Sequence, residues 1–485
     1  MTARPNRPTA GSDGGPGPRR CLPALLAAAC MLGGCASFSP DGGFGVVEKA
    51  ARERLDKDLR WVRSDADQDA LDQRVRELLG QPLTVDAAVQ LALFNNRGLQ
   101  ASFEELGIGD AERVQAGRLP NPGFSFGRLQ RGSEIELERG LHFNLARLIA
   151  MPHIVAVQTR RFEQTQALLQ MNVLSLAADT RKAYYHALAA EETVRYQRQV
   201  WQAAEASAEL ARRMAQVGNF NKLQQAREQI FQADAALNLA RAEQSQRAMR
   251  ERLTRLLGAW GPQIRFTLPE RLPDLPKAVV DLPDIEPMAL AQRLDVQAAR
   301  LAAEQTARNL GLTQATRFVN LLELGLRNNG SNEQPSQRGW ELTLELPLFD
   351  SGSARLARAE AVYRQQLHRA AETAVNARSE VREAYTAYRS AHDIARYQRD
   401  ELLPLNQRIA EENLLRYNGM LIGVFELLAD ARAQIASVNQ SILALRDFWV
   451  AQADLEMALI GKPNLSAALG PASASPGADA PGAGH

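Results

Sequence analysis

The stretch Arg181–Phe220, RKAYYHALAAEETVRYQRQVWQAAEASAELARRMAQVGNF, reads again as Arg382–Met420, REAYTAYRSAHDIARYQRDELLPLNQRIAEENLLRYNGM. RKAY and REAY stand 201 positions apart, and RYQR at Arg195 and Arg396 and the glycines Gly218 and Gly419 keep the same offset. Beyond the glycines the register slips: AREQI at Ala226 answers ARAQI at Ala431, and both halves stop at a glycine, after RLL at Gly258 and after ALI at Gly461. A duplicated unit explains matched tetrapeptides, turn and stop in one order. The slip predicts a first turn about four residues shorter than the second.

His153 to Val217 and Asn219 to Leu257 contain neither glycine nor proline, so each half of this unit can run as one unbroken helix. Sixty-five residues from His153 to the turn would span roughly 97 Å at about 1.5 Å per residue. Val424 to Ile460 is equally free of breakers, and the run Ser353 to Asn418 contains only Pro404, which should kink a helix rather than end it. The expected unit is therefore a long helical hairpin, built twice. Length alone, 485 residues, would suggest two to four globular domains, but the repeat argues for one elongated body.

Other segments alternate with a period of two. Ile135, Leu137, Leu141, Phe143 and Leu145 are apolar while Glu136, Glu138, His142 and Asn144 face the other way. Leu322, Leu324 and Leu326 alternate with Glu323, Gly325 and Arg327; after the loop NNGSNEQPSQRG, Trp340, Leu342, Leu344, Leu346 and Leu348 alternate with Glu341, Thr343 and Glu345. A less regular strand surrounds Phe124 and Phe126. Strands with one oily and one wet face suit a transmembrane barrel or one side of a soluble sheet. Four strands are too few to close a barrel, whereas three copies of the chain would supply about twelve and leave no edge.

The ends of the chain are of another kind. Arginines 4, 7, 19 and 20 precede the apolar run CLPALLAAACMLGGC, which has the length of an export-signal core and is too short to span a membrane stably. Its end, LGGC at Leu32 to Cys35, resembles the lipobox at which bacterial lipoproteins are cleaved and lipidated on the cysteine. Ala36 follows rather than aspartate, which in that class implies passage to the outer membrane. The three cysteines, 21, 30 and 35, all lie in this leader, so a mature chain has no disulfide staple. The tail from Pro463 is rich in Ala, Gly, Ser and Pro and reads as disordered. Later in the chain no run of 18 apolar residues occurs, so any further crossing falls to strands.

LTVDAAVQLALFNNRGLQASFEE, from Leu83 with Thr84 as expected N-cap, closely resembles the opening helix of the TolC family of outer-membrane efflux proteins, and ALAQRLDVQAARLAAEQ from Ala289 is a weaker second copy that aligns Gln297 and Ala298 with Gln100 and Ala101. The resemblance runs from about Leu83 to Gly461. It implies a mostly α fold with a small β part, in which duplicated long hairpins form a trimeric α-barrel tunnel topped by a twelve-stranded transmembrane β-barrel, four strands per chain. The implied division is a signal peptide 1–34, a lipidated segment 35–82, a first repeat 83–261, a proline-rich linker 262–287 around the tunnel waist, a second repeat 288–462 and a tail 463–485.

The implied function is a passive outer-membrane conduit for drugs, metal ions or other toxic solutes, extending into the periplasm and partnered there by an adaptor protein and an inner-membrane pump. In the family the hairpin turns, here Gly218 and Gly419, dock the adaptor. Acidic residues shortly after the second turn, here Glu426 and Asp430, ring the constriction; they lie four apart and share one helix face. Nothing points to an enzyme, a cofactor or a resident metal: the six histidines make no HExxH spacing, no phosphate loop or nucleophile elbow occurs, and His186 and His392, in helical stretches, are expected to have a surface or packing role. The net charge of +1 gives no reason to expect nucleic acid. The competing reading from another class is a lipid-anchored periplasmic scaffold whose strands form a soluble sheet. Mass spectrometry of the mature N-terminal peptide is expected to show a lipid-modified Cys35; an unmodified Cys35, or cleavage elsewhere, contradicts the lipobox.

Overall fold

The computed structural model describes residues 37–319 and 321–465, and in 424–426 and 428–430 the backbone alone. Cys35 and most of the tail lie outside the described residues, as do the side chains of Glu426 and Asp430. The chain opens with α1 (Phe44–Leu55), α2 (Asp65–Leu79), α3 (Val85–Asn95) and α4 (Arg97–Ala116), and continues through β1 (Gly123–Arg131), β2 (Glu134–Asn144), α5 (Leu145–Gln216) and α6 (Lys222–Leu257). The second half repeats the order with α7 (Ile285–Gln292), α8 (Leu294–Ala315), β3 (Leu322–Ser331), β4 (Gln337–Leu344), α9 (Ser353–Tyr397), a π turn (Gln398–Leu402), α10 (Leu403–Asn418) and α11 (Val424–Ile460).

Helix α5 is longer than its breaker-free run predicts. It has 72 residues, about 108 Å at 1.5 Å each. Pro152 lies inside it, not ahead of it, and Leu145, expected in the strand, is its first residue. Strand and helix are continuous: Asn144 is both the last residue of β2 and the N-cap, its Oδ1 accepting from Arg147 N at 2.8 Å. Pro404 behaves as expected. Backbone from Tyr397 to Leu403 stays right-handed helical, and the five-residue π turn just before the proline absorbs its missing N–H.

The two hairpin turns are equal in length, with five residues between helices in each case, 217–221 and 419–423. The expected difference of four residues is therefore absent from the turns. Gly218 has φ +81° and closes a Schellman motif in which Asn219 N donates to Met214 O at 2.9 Å. In the second turn the equivalent bond runs from Leu421 N to Arg416 O at 2.8 Å, and the left-handed residue is Met420, φ +60°, while Gly419 has φ −79°. Gly419 thus matches Gly218 in the sequence but not in conformation. A side chain in that left-handed well costs about 1–2 kcal/mol, which glycine one position later would have spared.

The sheet has the order β1-β2-β3-β4, antiparallel throughout. Directly paired residues share a face. One face carries Phe124, Phe126, Leu141, Phe143, Leu324, Leu326, Trp340 and Leu342, all apolar and with no layer of the described residues upon them: Trp340 is 73% exposed and Phe124 69%. Strand β4 ends at Leu344, so Leu346 and Leu348 continue the apolar run outside regular pairing.

Between the sheet and the turns lies a waist where both halves meet. Thr84 caps α3 as expected, Oγ1 accepting from Ala87 N at 3.1 Å. The opening helix breaks at Asn96, which caps α4, and its counterpart breaks at Arg293, 197 positions on, the offset of Gln100 and Gln297. Asn95 and Asn96 bond the end of α6, and Gly258 there has φ +63°; a Cβ on it would stand 2.4 Å from Asn95 O. Arg293 is 1% exposed and reaches Asp295 at 2.7 Å, Glu380 at 2.6 Å and Ala458 O at 3.3 Å, joining α8, α9 and α11. Lys182 of α5, equally buried, reaches Asp454 at 2.9 Å and Asn464 O at 2.6 Å. The linker crosses this waist in extended form, held by Leu83 N to Thr267 O, Trp449 Nε1 to Pro273 O and His392 Nε2 to Pro276 O at 2.8, 3.0 and 3.1 Å.

Candidate functional site

Two regions present chemistry. One is the polar face of the sheet. Glu134, Glu136, Glu138, Glu323 and Glu341 point there with Arg131 and Arg327, leaving a carboxylate excess. Arg327 pairs with Glu341 at 2.6 Å across β3 and β4, Asn329 donates to Glu136 at 3.3 Å, and Ser125 Oγ lies 2.9 Å from His142 Nε2. Gly127, Gly140 and Gly325 sit among them and keep the wall low. Glu134, Glu136, Glu138 and Glu323 are half-buried on this face and Arg131 is exposed, with Ser331 Oγ donating to Glu134 at 3.1 Å.

The other region is the hairpin end. Val217, Leu223, Met420 and Leu421 are 71%, 62%, 92% and 77% exposed, so both turns display apolar side chains. Gly218 and Gly419, separated in the sequence by the repeat, are thus brought to corresponding ends of two hairpins. For Glu426 and Asp430 the backbone of α11 confirms helix with four-residue spacing, three and seven residues into it.

One constellation near this end was not singled out from the sequence. Glu228 of α6 is 1% exposed; its Oε2 accepts from Ser207 of α5 at 3.0 Å, and its Oε1 lies 3.6 Å from Arg432 of α11. The Arg432 guanidinium also sits 4.4 Å above the Phe231 ring. Around them Val200, Ala204 and Ala235 pack with Trp201, Phe231 and Ile435. The first hairpin is therefore tied to the inner helix of the second by one buried carboxylate. The signal available in the sequence was an isolated acid, in AREQI, at a position where the second copy has Ala433.

His392 and His186 pack among helices, whereas His153 and His368 are exposed. His392 is 3% exposed, edge-on to Phe448. Burial pushes His186 down to about 4, helped by Arg446, Arg252 and Lys182, so it is neutral at pH 7. Among the described residues no group of three or more His, Cys, Asp or Glu is placed to hold a metal ion, and no helix is long and apolar enough to cross a membrane.

No family model matches the chain. Over 292 residues it is 25% identical to the cobalt-zinc-cadmium resistance protein CzcC of Cupriavidus metallidurans, a match spanning 58% of this chain and 66%, just under two thirds, of that relative. Among solved structures it is similar to the Campylobacter jejuni outer membrane channel CmeC (TM-score 0.68, 15% identity, 85% of this chain and 91% of that one). It is similar also to the outer-membrane channel OprN (0.65, 18%, 88% and 97%) and to CusC, solved in a study of folding and transmembrane channel formation (0.65, 18%, 78% and 92%). Long hairpins with a small sheet are thus the fold of outer-membrane channels.

Arg432 is itself 42% exposed in its side chain, so its tie to Glu228 is worth less than a fully buried pair, roughly 1–2 kcal/mol. Arg432→Ala is expected to speed amide exchange in the first turns of α11 by roughly 5- to 30-fold while leaving the waist protected. Replacing both Glu228 and Arg432 by leucine should restore slow exchange. Uniform exchange in all three proteins would show that the contact ties nothing.

Proposed function

We propose that this chain, which has the fold of the outer-membrane channels, is a member of the TolC family and serves as the outer-membrane duct of a tripartite efflux system. The observation that carries this reading is the sheet: an apolar face uncovered by any layer of the described residues, a glutamate-rich face behind it, and two open edges, β1 and β4. A homotrimer would close those edges into one barrel with the apolar face in lipid and the acids on the lumen. Apolar groups left exposed along the second hairpin, among them Val375, Tyr397 and Leu415, support the same assembly, since they would be covered by neighbouring copies. Energy comes from outside, from an inner-membrane pump reached through a periplasmic adaptor. Cys35 adds a lipid anchor in the outer membrane.

The excess of glutamate on the wet face favours cations over anions, and the name of the relative CzcC, a cobalt-zinc-cadmium resistance protein, agrees with cationic cargo. Glu426 and Asp430 are the acidic gate at the tunnel's narrow end, where three chains bring six carboxylates around one axis. In planar bilayers the detergent-extracted trimer is expected to give cation-selective steps, and Glu426→Gln with Asp430→Asn to weaken their block by divalent cations. Failure of a correctly assembled trimer to conduct would return the chain to the scaffold reading. An unchanged block would remove these two residues from the gate and leave the duct.

The turns at Gly218 and Gly419 contact the adaptor, with Val217 and Leu421 as the apolar groups it covers. Val217→Ser with Leu421→Ser should abolish efflux in cells while conductance stays as in the unaltered protein. Retained efflux would assign both glycines to chain reversal alone.

A further inference from the structure

The charges of the sheet are sorted by face in a way that the duct does not require. The apolar face carries, at its end remote from the helices, Arg128, Arg139 and Arg338, and no carboxylate lies on that face of any strand. Arg139 and Arg338 share one row, with Phe126 and Asn328, directly beyond the row of Phe124, Leu141, Leu326 and Trp340. One strand, β3, lies between them, so they stand two strand spacings apart, about 10 Å, and Arg128 stands diagonally from Arg139, about 7–8 Å away. All three are exposed, and among the described residues none makes an ion pair or hydrogen bond. Gly330, in the row of Arg128, leaves open space: a Cβ built on it would meet nothing within 4 Å.

We infer that Arg128, Arg139 and Arg338 form a binding band for phosphate-bearing lipid headgroups in the leaflet farther from the helices. The inference rests on the duct reading, which puts the apolar face in lipid. Trp340 and Phe124 then mark the edge of the hydrocarbon, where aromatic rings settle, and Arg139 and Arg338 stand one row beyond it and Arg128 two, at headgroup depth. Guanidinium groups match phosphate oxygens in a two-pronged geometry that lysine would not give, and spacings of about 7–10 Å allow one headgroup with two phosphates to span two arginines. Solvated rim charges without a ligand would have no reason to exclude carboxylates from one face while five glutamates crowd the other. Three protomers would repeat the band around the barrel.

The test uses the full-length trimer in detergent, with native mass spectrometry reading bound lipid. The probes are a bis-phosphorylated lipid A and the same lipid with both phosphates removed. The unaltered protein should retain the phosphorylated form at least about tenfold better. Arg128→Gln with Arg139→Gln and Arg338→Gln should lose that preference and still run as a trimer with normal conductance, while the triple lysine variant should keep a weaker preference. A trimer that conducts but holds both lipids equally overturns the band and leaves the duct. A protein that neither inserts nor conducts takes down the duct reading and this inference with it.

Discussion

An antiparallel sheet whose apolar face has no cover within its own chain cannot be a finished structure. In most folds a helix layer buries such a face, but here the helices leave the sheet end-on: β2 passes into α5 through the single cap Asn144, and α5 then runs for 72 residues away from the strands. Among the described residues no helix packs back over that face. In the proposed trimer the oily residues meet lipid, and the free edge of β1 pairs with the free edge of β4 on the next copy.

The waist shows how a body this thin keeps its shape. With no thick core available, buried charges supplement modest apolar clusters. Arg293 and Lys182 each gather carboxylates and a carbonyl oxygen from different helices, and each would leave those groups stranded in a dry site if removed. Burial raises Asp454 above its ordinary range against the pull of Lys182. The duplicated halves solve the same break in the opening helix by different chemistry: Asn96 caps its helix with a side-chain amide, whereas Arg293 has no such cap bond and binds across helices instead.

Near the turns the packing thins further, and the contacts become individual ones. Glu228 meets Arg432 and Ser207 between hairpins, while Asn406 donates to Ser437 at 3.1 Å within the second hairpin. A carboxylate with one partly exposed cation as partner is a weaker fastening than the multiply bonded arginine of the waist. Rigidity therefore falls from waist to tip, where movement would be least costly.

The sequence by itself determined the duplication, the hairpins, the alternation of the strands and the continuation of the helix past Pro404, because each depends on local rules: breakers, period and matched tetrapeptides. It also located the Thr84 cap. Tertiary structure decided what local rules leave free. Gly218 and Gly419 align in sequence, yet only one is left-handed, since where a Schellman turn closes depends on how the paired helices end rather than on where a glycine stands. Pro152 lies inside α5 because nothing in the packed sheet-to-helix junction stops the helix ahead of it. Glu228 is buried only because α5, α6 and α11 enclose it, and the sorting of arginines from glutamates on the sheet needed strand register, which fixes the face of every residue at once.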